Sequence, residues 1–230
     1  DEHGNTISQV SSANLMNFGY DSSDRNISIN LGGNKVAYKR DVQNRLKERL
    51  IYVGTRVVHS YTARYGYTGS GETPDLVRNS IDQITEKYLT LPGNVLLTIR
   101  PLEAGLDQQK VYSLPNLHGD IFVTTNTAGT LTGTFMTGPF GEPLTGQADP
   151  NNTVARGTYS YVGGNQKLTE TNFPLDVVQM GARVYIPTMG RFLSVDPIEG
   201  GVDNNYVYPP DPVNDFDLDG TSRFSDWLYD

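Results

Sequence analysis

Asp21-Ser-Ser-Asp-Arg25, followed by Asn26-Ile-Ser-Ile-Asn-Leu31, is the stretch on which the fold is decided. The first five residues are small or polar turn formers, with a place for positive φ at the third or fourth position. The next six alternate. Ile27, Ile29 and Leu31 fall on one face and Ser28 and Asn30 on the other, the pattern of a half-buried strand. The unit recurs twenty residues to either side, as Asp1-Glu-His-Gly-Asn5 and Asp41-Val-Gln-Asn-Arg45, with Tyr20 and Tyr38 nearby and Leu46–Val53 as the next extended run. Three units in register are the minimum for a repeat.

The same grammar of short strand and tight turn continues outward. Tyr65-Gly-Tyr-Thr-Gly-Ser-Gly71 is an aromatic–glycine turn. Residues 72–84 fit either a strand or a short helix started by Thr73 with Pro74 at its first position. Lys87–Leu91 and Val95–Arg100 flank Pro92-Gly-Asn94 as a hairpin, and Ile121–Asn126 and Gly129–Phe135 form another. Residues 139–155 read as a loop, and Gly157–Val162 and Ala182–Ile186 as strands. The fold class is therefore mostly β, a long meander of short antiparallel strands. Such a sheet needs neighbours or closure on itself, which favours an open fragment of an extended β structure over a compact barrel.

Composition bounds the function. The 230 residues suit one domain or a segment of a larger one, and 24 Gly with 13 Pro agree with many turns. No apolar run approaches the roughly 18 residues needed to span a bilayer. With no cysteine there is no disulfide scaffold, thiolate metal site or cysteine nucleophile. His3, His59 and His118 are too scattered for a catalytic zinc site. The net charge of -8 argues against nucleic acid as a partner. Asp1 opens the chain with neither Met nor a signal-like segment, and is read as a cut edge. No phosphate-binding loop and no nucleophile elbow is present.

The charge is concentrated. Residues 195–230 hold nine acidic side chains and one basic one, so this segment carries the whole excess. Its densest part is Asp211-Pro-Val-Asn-Asp-Phe-Asp-Leu-Asp-Gly220. Three readings stand side by side. One is a solvated acidic tail. The second is a calcium loop with Asp215, Asp217, Asp219 and Gly220 at its first, third, fifth and sixth positions and Asp226 at its twelfth, although Pro209, Pro210 and Pro212 forbid a normal entering helix. The third is proton chemistry between packed carboxylates, with Arg191 fixing one of them. Against these stands a plain structural role, with Arg191, Phe192 and Asp196 locking a turn. His118 beside Asp120 reads as a structural turn.

Several stretches resemble the core of Rhs (rearrangement hotspot) and YD-repeat proteins of the polymorphic-toxin kind. They are Gln179-Met-Gly-Ala-Arg-Val-Tyr-Ile-Pro-Thr-Met-Gly-Arg-Phe-Leu-Ser-Val-Asp-Pro197, Asn205-Tyr-Val-Tyr208, the acidic run 211–220, Leu117-His-Gly-Asp-Ile-Phe-Val-Thr-Thr125 and Pro139-Phe-Gly-Glu-Pro-Leu144. The twenty-residue units look like Tyr-Asp repeats, Tyr20-Asp21 being the clearest copy. The resemblance implies a spiralling antiparallel β-sheet shell with an irregular C-terminal plug. It divides the chain into a repeat segment at 1–110 and a repeat-associated core at 111–230, with the acidic plug and cleavage-like tail at 179–230.

The resemblance also implies a function. The shell would enclose a C-terminal toxin and free it by aspartyl self-cleavage after an Asp-Pro-x-Gly-Leu motif. The matching segment is Asp217-Leu-Asp-Gly-Thr221, where Leu218 stands for Pro and Thr221 for Leu, and the expected scissile bond is Thr221–Ser222. Arg191 and Asp196 carry over as catalytic residues, with Asp203 or Asp211 as the partner acid. Neither cofactor nor metal is implied. The expected partners are the remainder of the shell, a C-terminal toxin domain, and other copies through open sheet edges, in a secreted or cell-surface setting. The competing functions are a non-catalytic surface adhesion or interaction protein and a calcium-stabilised β module.

Overall fold

The computed structural model describes residues 1–11, 14–101, 109–144, 159–170, 173, 175–198 and 204–221. Most of the strands belong to one antiparallel sheet. Its strands are β1 (Ser8–Ser11), β2 (Asn14–Tyr20), β3 (Asn26–Leu31), β4 (Asn34–Arg40), β5 (Leu46–Val53), β6 (Arg56–Val57), β7 (Ala63–Gly66), β8 (Leu76–Arg78), β9 (Ile84–Leu91), β10 (Val95–Arg100), β11 (Gln109–Pro115), β12 (Ile121–Thr125) and β13 (Leu131–Thr134). Neighbours in sequence are neighbours in the sheet, except that β6 folds back on the end of β5 and β7 takes the next place. The ends, β1 and β13, do not pair, so the sheet is open. A second sheet of β14 (Thr169–Glu170), β15 (Val177–Met180), β16 (Arg183–Ile186) and β17 (Arg191–Phe192) packs against the large one and is termed the plug for that position alone.

One turn design builds the large sheet. In Asp1–Asn5, Asp21–Arg25, Asp41–Arg45, Asn79–Gln83 and Asn126–Thr130, the first side chain accepts hydrogen bonds from the N–H groups of the third and fifth residues. Asn116 does so for the fifth, Asp120. The fourth N–H returns to the first carbonyl in all six. The fourth residue has positive φ each time, at Gly4, Asp24, Asn44, Asp82, Gly119 and Gly129, which short polar side chains and glycine tolerate. The flanking strands slip by one residue beside these turns, for example between Lys39 and Arg40. Such a bulge goes with a three-residue hairpin loop.

Residues 72–84 contain no helix. Val77 of β8 pairs with Tyr65 and Glu86, and the Asn79 turn joins β8 to β9. Pro74 therefore precedes a strand. The strand expected at 157–162 is absent in its described part. Tyr161 and Val162 form a left-handed turn with φ 44 at Val162, whose N–H bonds Asp120 Oδ1 at 2.9 Å. The expected hairpins at β9–β10 and β12–β13 and the strands β3, β5 and β16 are present.

The plug packs both ways. Val177, Val184, Ile186 and Leu193 meet Met16, Phe18, Ile29, Val36 and Tyr38 of the large sheet. On its other face Val178, Met180, Tyr185 and Phe192 gather with Tyr161, Val162 and Tyr208. Alternation along β15 and β16 thus serves two cores, which is why both strands are wholly buried. Arg49 of β5 and Glu170 of β14 close the first interface with a doubly hydrogen-bonded ion pair at 2.6 Å.

Candidate functional site

The tail of the chain wraps the outer face of the plug and meets it at Arg183. The tight turn between β15 and β16 passes through Gly181, at φ 58, where a side-chain carbon would lie 2.4 Å from the Asp219 carbonyl. Ala182 N–H bonds that carbonyl at 2.8 Å. Arg183 then enters β16 with its guanidinium 3.8 Å above the Phe192 ring.

The Arg183 side chain is almost closed to solvent, and its donors meet fixed acceptors. Nε donates to the Gly220 carbonyl at 2.6 Å and Nη1 to the Asn205 carbonyl at 3.1 Å. Nη2 lies 2.9 Å from Asp196 Oδ2 and 2.8 Å from Asp217 Oδ2. Two carboxylates from distant parts of the tail are thus held on one nitrogen. Asp196 is placed by its N–H to the Asn205 carbonyl and by Oδ1, which accepts from Ile198 N–H. Asp217 Oδ1 and Asp219 Oδ1 both accept from Thr221 N–H, at 3.1 and 2.9 Å. The last described residue therefore hangs from the carboxylate that Arg183 grips.

The residues nominated from sequence distribute unevenly. Asp196 is in this cluster and Thr221 touches it. Arg191 is not the guanidinium that meets Asp196. It stacks on the Tyr206 ring at 4.4 Å, and its Nε donates to the Phe192 carbonyl at 3.3 Å. Asp211 is exposed and caps its own turn. The Asn214 amide and the Val213 and Asn214 N–H groups hold its carboxyl below the usual range. Asp203 and Ser222 lie outside the described residues, as does Asp226 of the calcium reading. Asp217 and Asp219 serve Arg183 and Thr221, and no group of three acidic or histidine side chains converges on a metal position among the described residues.

Arg183 is not among the residues nominated from sequence, and Asp217 figures there as a calcium ligand and as the first residue of the cleavage-like segment, not as a partner of Asp196. Arg183 looked like an ordinary residue of a strand. Its one signal was a lone cation inside an otherwise apolar run, Arg-Val-Tyr-Ile186. Beside the cluster, His118 Nδ1 lies 3.0 Å from Asp120 Oδ1, with its ring 5.5 Å from Tyr161 and 5.7 Å from Phe216 of the tail.

No family model and no curated protein matches this sequence. Solved structures do match. A crystal structure of TcdB2-TccC3-Cdc42 is 20% identical with a TM-score of 0.67, covering 96% of this chain and 11% of that one. The Photorhabdus luminescens Tc holotoxin pore carrying a TccC3 mutation is 20% identical with a TM-score of 0.66, covering 96% and 10%. A crystal structure of TcdB2-TccC3 is 21% identical with a TM-score of 0.66, covering 96% and 11%. The chain thus spans about a tenth of the length of each. Identities this low establish the fold, an open, mostly β shell-like sheet. They also correct the resemblance drawn from sequence: the match is to TcdB2-TccC3 components of a Tc toxin and not to an Rhs or YD-repeat protein.

Proposed function

We propose that this chain is a stretch of a secreted or cell-surface toxin shell whose plug cuts the backbone at Thr221–Ser222 and frees the polypeptide that follows. The carrying observation is the Asp196–Arg183–Asp217 cluster with Thr221 hung from Asp217. Supporting it is the likeness to TcdB2-TccC3, one structure of which is described as lacking a hypervariable C-terminal region. In this reading the sheet continues through the rest of a longer protein and curves around its contents. The division at residues 110 and 111 into sheet segment and core belongs to the same proposal.

Peptide hydrolysis needs a base for water and an acid for the departing amine. Asp196 and Asp217 are the pair the geometry favours. One takes a proton from water as its oxygen adds to the Thr221 carbonyl carbon. The other gives a proton to the Ser222 nitrogen as the C–N bond breaks. Arg183 fixes both, and the Asp217 and Asp219 contacts fix the Thr221 end of the bond. Asp203 remains a rival to Asp217 as the partner acid.

The test is intact-mass analysis of the full-length precursor, wild type and with Asp196→Asn, Asp217→Asn or Asp203→Asn. Two fragments parted at Thr221–Ser222 in wild type, and one uncut species with Asp196→Asn and with Asp217→Asn, are expected. Normal processing of Asp196→Asn would sink the aspartyl reading. Normal processing of Asp217→Asn with loss in Asp203→Asn would move the pair.

A further inference from the structure

A small cavity of about 50 Å³ lies on the other side of Gly181, between the Asp41–Arg45 turn, the loop at 66–74 and the plug at 166–168 and 179–181. Its lining gathers four of the buried polar atoms that have no hydrogen-bond partner: Arg40 Nε, Asn44 Oδ1, Gln166 Oε1 and Gln179 Nε2. Buried polar groups are ordinarily satisfied, so four around one cavity call for an occupant.

The occupant's charge follows from the cations. Arg45 is matched by Asp41 at 2.7 Å, and Lys167 by Glu72 at the rim at 3.2 Å. Arg40 has no carboxylate partner among the described residues. Nη1 donates to the Asn44 carbonyl at 3.2 Å and Nη2 to Gln179 Oε1 at 2.7 Å. Burial pulls this guanidinium below its ordinary value. A shielded cation without a counter-charge is costly.

The lining also holds amides. Gln179 is 5% exposed and lines the cavity, its Oε1 accepts from Arg40, and its Nε2 is a buried donor left without a partner among the described residues. Asn44 and Gln166 line the same cavity with side-chain amides, whose oxygen and nitrogen ends are interchangeable in such assignments. On a scale where one water needs about 10–15 Å³, the cavity has room for an ion of a few heavy atoms.

We propose that this cavity binds a small oxyanion of phosphate size, either the free ion or the terminal phosphoryl group of a phosphomonoester, held by Arg40 Nε and Gln179 Nε2. The site lies apart from the Arg183 cluster and does not depend on cleavage. It ties the turn between β4 and β5 to the plug through a shared counter-charge.

Calorimetric titration of the full chain with inorganic phosphate and with glycerol phosphate, against chloride at equal ionic strength, tests it. Binding of the first alone identifies the free ion, and binding of the second the phosphoryl group. Arg40→Gln should weaken either at least about tenfold. Gln179→Glu keeps the volume and places a carboxylate beside Arg40. It should melt higher than wild type without phosphate and lose the phosphate response. No binding of either probe by wild type overturns the proposal, as does a Gln179→Glu protein that still binds phosphate like wild type.

Discussion

Asp196 and Asp217 meet on a single atom, Nη2 of Arg183, at 2.9 and 2.8 Å. Between them, the Tyr206 carbonyl accepts from Phe192 N–H and Tyr208 is wholly buried against the outer face of the plug. The separation of the two carboxylates is thus set by one planar group that is itself pinned by two backbone carbonyls and a phenyl face. A guanidinium suits this place because its donors diverge in a plane, where an ammonium offers only a point charge.

Arg183→Lys should therefore cost far more than the loss of one contact. It strands two carboxylates and two carbonyls in a nearly dry site, worth about 3–5 kcal/mol by analogy with broken buried pairs. Urea unfolding of the full chain measures this, and precursor processing should stop with it. Arg191→Lys is the comparison. Its partner is the face of Tyr206 at a half-buried position, worth about 1 kcal/mol or less. Equal losses for the two variants would remove Arg183 from its central place.

Gly220 offers a separate handle on the same segment. It has φ 69, and a side-chain carbon would lie 2.3 Å from the Met180 carbonyl and 2.8 Å from Arg183 N. Gly54 has φ 60 and nothing within 4 Å. Both lose about 1–2 kcal/mol on changing to alanine from the left-handed backbone alone. Only Gly220→Ala must also push the 217–221 strap off the plug. It should be the more destabilised of the two and should leave the precursor uncut. A Gly220→Ala protein that melts and processes like Gly54→Ala would show that the strap need not lie where it does.

The ion pair of Arg49 and Glu170 predicts a different signature, because both side chains are 0% exposed and Tyr38 OH also bonds Glu170 Oε1 at 2.9 Å. Arg49→Met or Glu170→Leu alone leaves an uncompensated buried charge and should cost about 3–5 kcal/mol. The double variant should recover most of that loss, since the partners' desolvation disappears with them. Chemical denaturation of the three variants gives the coupling directly. A double variant as unstable as the sum of the singles would mean that the pair contributes little beyond packing.

The large sheet was legible in sequence because its rules are local. Asp21 and Asp41 each bond N–H groups two and four residues on, so the turn is written within five letters, and β3 follows by alternation. Asn79, Asn116 and Asn126 open the same turn but at irregular spacing, and a search for a fixed period missed them as members of one series. The plug was less legible for a physical reason. β15 and β16 are buried on both faces, so their apolar runs show little alternation. The site was least legible. Asp196 and Asp217 each stand in a motif legible in sequence, while Arg183 and the pairing of the two carboxylates on it arise only when residues 217–221 fold back across the β15–β16 turn.

The contact of His118 with Asp120 makes the last prediction, a pH dependence of the seam where the β11–β12 turn meets Tyr161 and Phe216. The hydrogen bond to Asp120 raises His118 above its ordinary 6.5, against the opposing effect of burial, with the Asp120 charge and the Asp215 backbone adding to the rise. For Asp120, burial alone would raise the carboxyl. Hydrogen bonds from His118, Val162 N–H and the Asn116 amide more than reverse this and hold it below 3.8. The signs follow from linkage. A raised histidine stabilises the fold fully below pH 6.5, and that part is lost as pH rises through its folded value. A depressed carboxyl stabilises fully above pH 3.8, and that part is lost as pH falls through its folded value. The pair should therefore contribute most between about pH 4 and 6.5. Thermal melting of wild type and His118→Gln across pH 4 to 9 checks it: the difference between them should be largest near pH 5 to 6 and shrink above neutrality. A constant difference across that range would mean that His118 acts by packing against Tyr161 and Phe216 and not by its charge.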